Sequence, residues 1–336
     1  MRGDRLVRLV APIVLLTTLA ACTTESRPPD RAPLAEGEYV LVVNAQSSDL
    51  RIHTADGLEP AGDPIGVGTA PSDVAVSADG RRAYVSSPLS NDVTVVDTAA
   101  GRAIGDPIRV STYPAGLAVS PDGSRLYVAG GETDDVRAYD TGTGEQVGVP
   151  LPVGDAPGGL ALSRDGGRLY VSSIYQNDVR VIDTAAWAVV GNPIGVGRAP
   201  AQLAVSPDGT RVFVAGQDAG DVTVVDTRTR TTIGDPIPVG DFPSAVLVSG
   251  DGRRVYVASQ NSNDVRIVDA RTRKVVGRPI PTGEAPDGLA ANADGSRIYV
   301  TNMYSNDVTV IDTSTLLPVR SDSFAATPRG IAVARI

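Results

Sequence analysis

Residues 299–313 read Tyr-Val-Thr-Asn-Met-Tyr-Ser-Asn-Asp-Val-Thr-Val-Ile-Asp-Thr. An apolar run leads into a polar loop that closes on Asn306-Asp307, and a second apolar run stops at Asp312-Thr313. Two short β-forming runs joined through loop residues in this way spell a β-hairpin. The Asp of the loop-closing step recurs at Asp49, Asp92, Asp135, Asp178, Asp221, Asp264 and Asp307, each 43 residues after the one before. A period of that length marks a unit that stacks on copies of itself, as a solenoid, propeller or array.

Outward from the hairpin, every repeat carries four strand signals. In the copy spanning 73–110 the first strand runs from Asp73 to Ser77, and Asp79-Gly80 supplies a tight turn. The second runs from Ala83 to Ser87, residues 88–92 form a loop, and the third runs from Val93 to Asp97. The fourth, Ile104 to Val110, contains Pro107. Proline cannot donate to a ladder, so the fourth strand belongs at an edge. The first strand carries Gly116, Gly159, Gly288 and Gly330 in four of its copies, where backbones must approach closely. Small residues suit a crowded axis and proline suits a rim, which is the order of strands in a propeller blade.

The two ends of the repeat array separate a closed ring from an open one. The array begins with a second-strand signal, Tyr39 to Asn44, and ends with a first-strand signal, Gly330 to Ile336. The two partial blades sum to one. Second-strand signals at 41–44, 84–87, 127–130, 170–173, 213–216, 256–259 and 299–302 then predict seven four-stranded antiparallel blades, with the ring closed by the C-terminal strand. Closure removes the open edges that a solenoid must cap.

The N-terminus follows a different logic. Arg2, Arg5 and Arg8 precede an apolar run from Leu9 to Ala20, which is too short to cross a bilayer as a helix and reads as an export signal. It ends in Leu19-Ala20-Ala21-Cys22, which resembles the bacterial lipobox, and Cys22 is the only cysteine in the chain. The expected organisation is a lipoprotein signal peptide over 1–21, a lipid-anchored flexible tether over 22–37 containing Pro28-Pro29, and the propeller over 38–336. Lipidated Cys22 would anchor the protein to the outer side of the cell membrane.

The chain carries a net charge of −9, and the signal removes three Arg and one Asp from it. An acidic protein is disfavoured as a nucleic-acid binder, because phosphate contacts need Lys and Arg. Most of the acidic residues sit at fixed repeat positions, where Asp bonds nearby backbone N–H groups and serves turns.

The second-strand words Tyr84-Val85-Ser86-Ser87, Tyr256-Val257-Ala258-Ser259 and Tyr299-Val300-Thr301-Asn302 resemble the YVTN-repeat β-propeller family, the last letter for letter. The resemblance spans about residues 38–336. It implies seven four-stranded blades and an exported or surface protein of a prokaryote. It carries no agreed catalytic residues.

Seven internal copies separate scaffold from variation. On one face the turns repeat, as at Asp122-Gly123, Asp208-Gly209 and Asp294-Gly295. On the other face the loops differ: Pro88-Leu89, Ile174-Tyr175, Gln217-Asp218, Gln260-Asn261 and Met303-Tyr304. Four copies place Ala before the proline that opens the first strand, whereas two place Tyr113 and Phe242 there. The first two positions of that strand are mostly small, with Asp73, Gln202, Asp287 and Arg329 as the larger or charged exceptions. Candidate ligand-binding residues are therefore Asp73, Tyr113, Tyr175, Gln202, Gln217, Phe242, Gln260, Asp287, Met303, Tyr304 and Arg329. Arg329 is also expected to clasp Asp287 or Asp73 across the seam.

His53, the only histidine, occupies a position that is otherwise apolar or Tyr139, so packing is its expected role. No N/S-type metal site is visible, and the Asn-Asp steps are expected to cap loops rather than ligate calcium. Trp187 stands in a turn as a candidate exposed anchor. No catalytic set and no cofactor are expected. The function expected is a monomeric, membrane-anchored extracytoplasmic binding or scaffold lipoprotein whose variable face holds a protein, glycan or peptide. The alternatives are a lactonase- or lyase-like propeller enzyme with a carboxylate/arginine site, or an accessory sensor subunit of a membrane complex.

Overall fold

Each repeat folds into one antiparallel sheet, and seven such sheets make the ring. The structure, a computed structural model, describes residues 33–324 and 326–336. The expected signal, Cys22 and the tether as far as residue 32 lie outside the described residues. Residues 33–37 run against the propeller: the Leu34 N–H donates to Ala99 O at 2.7 Å and the Gly37 N–H to Ile336 O at 3.0 Å.

Blades are numbered here by their second strands, Glu38–Asn44, Arg82–Ser87, Arg125–Gly130, Arg168–Ser173, Arg211–Gly216, Arg254–Ser259 and Arg297–Asn302. Blade 1 takes its inner strand from the other end of the chain. Pro328–Arg335 pairs antiparallel with Glu38–Asn44, placing Val333 opposite Val40 and Ile331 opposite Val42. The expected ring closure is therefore present, and the inner strand Pro328–Arg335 sits between those of blades 7 and 2. Around the axis the inner strands touch backbone to backbone. A Cβ on Gly116 would lie 2.4 Å from Gly158 O, and one on Gly159 would lie 2.6 Å from Ala201 O. That spacing is why the inner strands carry glycine.

The outer strands depart from expectation. A single fourth strand was expected over 104–110, but blade 2 has two fragments, Arg102–Ala103 and Ile108–Arg109. Blades 4 and 5 are split in the same way. The breaks fall at Gly105-Asp106-Pro107, Gly191-Asn192-Pro193 and Gly234-Asp235-Pro236, whereas Gly148-Val149-Pro150 and Gly277-Arg278-Pro279, with the same positive φ at Gly, are taken up as register shifts. Blades 3, 6 and 7 keep continuous outer strands, Gln146–Pro152, Lys274–Pro281 and Leu317–Ser323.

The core lies between blades. The second-strand aromatics Tyr84, Tyr127, Tyr170, Phe213, Tyr256 and Tyr299 are all buried. Tyr299 packs with Val40, Val42 and Leu58 of blade 1, and its hydroxyl donates to Ala55 O at 2.7 Å. Tyr299 is thus an inter-blade strut, with a ring for the core and a hydroxyl for a neighbouring carbonyl. Arginines reinforce the same joints: Arg82 Nη1 donates to Thr141 O at 3.1 Å and Arg254 Nη1 to Thr313 O at 2.7 Å. Trp187 belongs to this set rather than to an exposed anchor. Its Nε1 donates to Val149 O at 2.7 Å on blade 3, and its ring stacks on Tyr127 with centroids 5.8 Å apart. Gly148 lies against it, so that a Cβ there would meet the indole at 2.9 Å.

His53 is buried, with Nδ1 2.8 Å from Leu58 O and its ring 4.2 Å from that of Phe324. Burial pushes its pKa down, which fits a packed neutral imidazole. On the turn face, Asp122 accepts from Ser120 Oγ at 2.5 Å and from the Ser124 N–H at 3.0 Å. These bonds favour the ionised form and hold its pKa down to about 2.

Candidate functional site

The variable face is built by an Asn-capping device that repeats from blade to blade. The residue before each inner-strand proline has positive φ: Ala70, Tyr113, Ala156, Ala199, Phe242, Ala285 and Thr327. In five of the seven its N–H is taken up by an Asn or Asp side chain of the preceding blade's loop. Asn91 Oδ1 accepts from Tyr113 N, Asn177 Oδ1 from Ala199 N and Asn263 Oδ1 from Ala285 N, each at 2.9 Å. The Asn-Asp steps do cap loops. The Asp of the step has local partners: Arg137 lies 3.0 Å from Asp135, and Arg180 3.2 Å from Asp178.

Inside this collar the inner-strand entrances surround an axial cavity of about 450 Å³. Its lining includes Asp73, Tyr113, Gln202, Gln217, Asp287 and Arg329 from the sequence-predicted set. Gln260 joins them through Asp287, donating from Nε2 to Oδ1 at 2.8 Å. Tyr175 and Tyr304 stand out in solvent at 76% and 71% exposure, and neither they nor Met303 and Phe242 line the cavity. Leu89 and Ile174 do line it. Sequence reasoning singled out both loops but chose Tyr175 over Ile174 and passed over Leu89. The available signal was an aliphatic residue kept in a loop that needs none.

The lining is polar and apolar by turns of the ring, meeting at blade 2. Blades 7, 1 and 2 supply Asp287, Arg329 and Asp73, whereas blades 2 to 4 supply Leu89, Tyr113 and Ile174. The expected seam clasp forms with Asp287: Arg329 Nε lies 3.3 Å from Asp287 Oδ2. Asp73 is held differently. Its Oδ1 accepts from the Val74 N–H at 2.9 Å and its Oδ2 from the Leu117 N–H of blade 3 at 3.0 Å. Burial raises the Asp73 pKa, two backbone hydrogen bonds oppose the rise, and the charge of Asp287 adds to it. The arrangement offers a guanidinium already steadied at Nε, a carboxyl paired to no cation, amide side chains and an apolar wall. Few polar groups converging in a concave site of this size fix a ligand's orientation.

The comparisons now define the class of protein. Residues 208–334 match the YNCE-like beta-propeller family model, in agreement with the YVTN-type repeat. Hydrazine synthase of Kuenenia stuttgartiensis shares the fold at 22% identity and a TM-score of 0.71, over 78% of this chain and 89% of that one. A functionally unknown protein of Desulfotomaculum acetoxidans DSM 771 aligns at 18% identity and a TM-score of 0.78, over 88% of this chain and 99% of that one. Dihydro-heme d1 dehydrogenase NirN, in complex with DHE, aligns at 18% identity and a TM-score of 0.66, over 91% of this chain and 67% of that one. At such identities the likeness shows the seven-bladed fold alone. None of the curated proteins matches the sequence.

Proposed function

We propose that this chain is a membrane-anchored binding protein on the outer side of the cell, whose variable face holds a protein, peptide or glycan with one ligand group in the axial cavity. The observation that carries the reading is the cavity itself. It gathers Asp73, Asp287 and Arg329 from the strand entrances and Leu89, Tyr113 and Ile174 from the loops and turns around them, where small side chains would suffice for the fold. Tyr175 and Tyr304, largely exposed, add contact area around the mouth for a larger partner.

The test is a crosslinking pull-down from cells carrying the anchored protein, followed by binding of variants to the recovered partner. Arg329→Ala is expected to weaken binding by roughly ten- to a hundredfold, the worth of a hydrogen bond to a charged group. The double change Tyr175→Ala and Tyr304→Ala is expected to weaken it less, and to leave the melting temperature within a few degrees. Full binding by both variants would move the site to the turn face or the rims.

The anchor has its own test. Cys22→Ser removes the only thiol available for lipidation. The expected result is release into the soluble fraction or accumulation of unprocessed protein on a gel. Normal processing with unchanged membrane association would remove the lipoprotein reading.

One observation favours a second reading. Burial raises the Asp73 pKa, and a carboxyl that shares a cavity with an arginine is a candidate proton-transfer group. A lactonase- or lyase-like activity would use Asp73 in that role. Turnover of a small ester or lactone that is abolished in Asp73→Asn would support it.

A further inference from the structure

We propose that the axial cavity is built for a primary ammonium group carried on an apolar body, with the cation against Asp73 and the body against Leu89, Tyr113 and Ile174. This rests on the reading of the cavity as the binding site. The first argument is charge. Asp73, Asp287 and Arg329 are the charged side chains of the lining, and they leave one negative charge in excess. Arg329 is paired with Asp287, which also accepts from Gln260, so among the described residues the lining carboxylate left without a cation is Asp73. An anionic ligand would meet that carboxylate as a like charge, whereas an ammonium would complete the set.

The second argument excludes a purely structural reason for Asp73. Its bond to Leu117 N ties blade 2 to blade 3. The equivalent position in the six other blades is Gly116, Gly159, Gln202, Ala245, Gly288 or Gly330, and all of these but Gln202 lack a side-chain acceptor. Blades join at those positions without such a bond, so the joint does not require the carboxyl. What Asp73 adds is a charge on the cavity wall, fixed in place by two backbone N–H groups.

The apolar part of the lining points the same way. Leu89 is 66% exposed and Tyr113 44% exposed, and both reach the same cavity as Asp73. Large apolar side chains kept in solvent beside a lone carboxylate suit a ligand that brings a hydrocarbon body with its cation. The aromatic ring of Tyr113 also offers the kind of face that attracts ammonium groups.

Ionised Asp73 is the form that binds an ammonium. Its folded pKa lies above the ordinary value of 3.8, so affinity should fall at a higher pH than for a free carboxylate as the solution is acidified. The same sign applies to folding. Protons bind the folded state more tightly, so stability is lost as pH rises from 3.8 through the raised value. Asp73→Asn escapes that cost and keeps one acceptor oxygen, so it is expected to fold.

The experiment is calorimetry on the detergent-solubilised full chain with phenethylammonium, phenylacetate and 2-phenylethanol, which share a body and differ in charge. The expected result is binding of the ammonium at least about tenfold tighter than either isostere. Asp73→Asn is expected to lose about tenfold or more of that affinity. Wild-type affinity should also fall on acidification, which tests the idea without any variant. A lysine-bearing peptide compared with its Nε-acetylated form separates the sources. Tighter binding than phenethylammonium, lost on acetylation, assigns the cation to a partner's side chain, and the reverse order assigns it to a free small amine. Equal binding of the isosteres, unchanged affinity in Asp73→Asn, or no binding of any probe overturns the proposal. Binding of phenylacetate that is lost in Arg329→Ala would overturn the ammonium while leaving the cavity as the site. A recovered partner indifferent to both Asp73→Asn and Arg329→Ala would remove the cavity itself.

Discussion

Deletion of residues 328–336 is expected to give a protein that aggregates or melts far below the full chain. The segment is the inner strand of blade 1, and its whole ladder to Glu38–Asn44 goes with it. Ile331 packs with Val40, Val42 and Tyr299, and Ala334 with Leu41 and Val43. Each large apolar side chain buried is worth about 1.5–3 kcal/mol. The deletion removes several such contacts and uncovers the partners on blades 7, 1 and 2. The unpaired edge of Glu38–Asn44 then becomes a template for other chains. A loss of roughly 5 kcal/mol or more is comparable with the whole stability of many domains. Thermal melting and light scattering check it. A truncated protein as stable as the full one would argue for blades that stand without closure.

Gly116→Val is expected to be the most damaging single substitution at the axis. The first atom of the new side chain falls 2.4 Å from Gly158 O and 3.1 Å from Leu160 N, both backbone atoms of the next blade. No rotamer avoids a Cβ clash, so the blades must separate or the strand must shift. Overpacking of this kind costs about 1–3 kcal/mol, and more when the obstacle is backbone. Valine otherwise favours strands, so propensity alone predicts the opposite sign. Gly66→Val is the control, because its Cβ would meet nothing within 4 Å on an outer strand. The account predicts a fall in denaturation midpoint of about 3 kcal/mol equivalent for Gly116→Val and a near-neutral result for Gly66→Val. Equal effects would mean that the axis is less crowded than its backbone spacing requires.

Why the fold was readable and the site only partly so follows from how each is encoded. The blade is written in period and polarity: seven copies of one 43-residue frame, an Asp at each third strand and complementary partial blades at the ends. Those features act through backbone pairing, which depends little on particular side-chain directions. The inner-strand positions were legible for the same reason. Asp73, Gln202, Asp287 and Arg329 all stand one or two residues after the proline that opens an inner strand, and that place at the strand entrance brings them to the cavity wall. Loop residues obey no such period. Ile174 and Tyr175 are neighbours in one loop, yet Ile174 lines the cavity and Tyr175 stands in solvent. Tyr113 is carried on a backbone of positive φ that its Ala counterparts share, so its presence marks a choice of side chain and not a need of the turn. Trp187 shows the opposite error, since an aromatic in an exposed turn turned out to reach back to the neighbouring blade. The outer strands broke at Gly-Asp-Pro and Gly-Asn-Pro steps but ran on through Gly148-Val149-Pro150 and Gly277-Arg278-Pro279 with a register shift, a distinction that the proline alone did not reveal.

The central claim is that the ligand group of this propeller enters at the axial mouth of the variable face. Hydroxyl-radical footprinting of the anchored protein, with and without the partner recovered by crosslinking, tests it most directly. Leu89 and Tyr113 are exposed side chains on the cavity wall, and Tyr175 and Tyr304 stand on the loops around it. The account predicts that bound partner shields Leu89 and Tyr113 most strongly and Tyr175 and Tyr304 less. Unchanged oxidation of Leu89 and Tyr113, with shielding instead of the exposed Val149, Leu317 and Val319 on the outer strands, would contradict it.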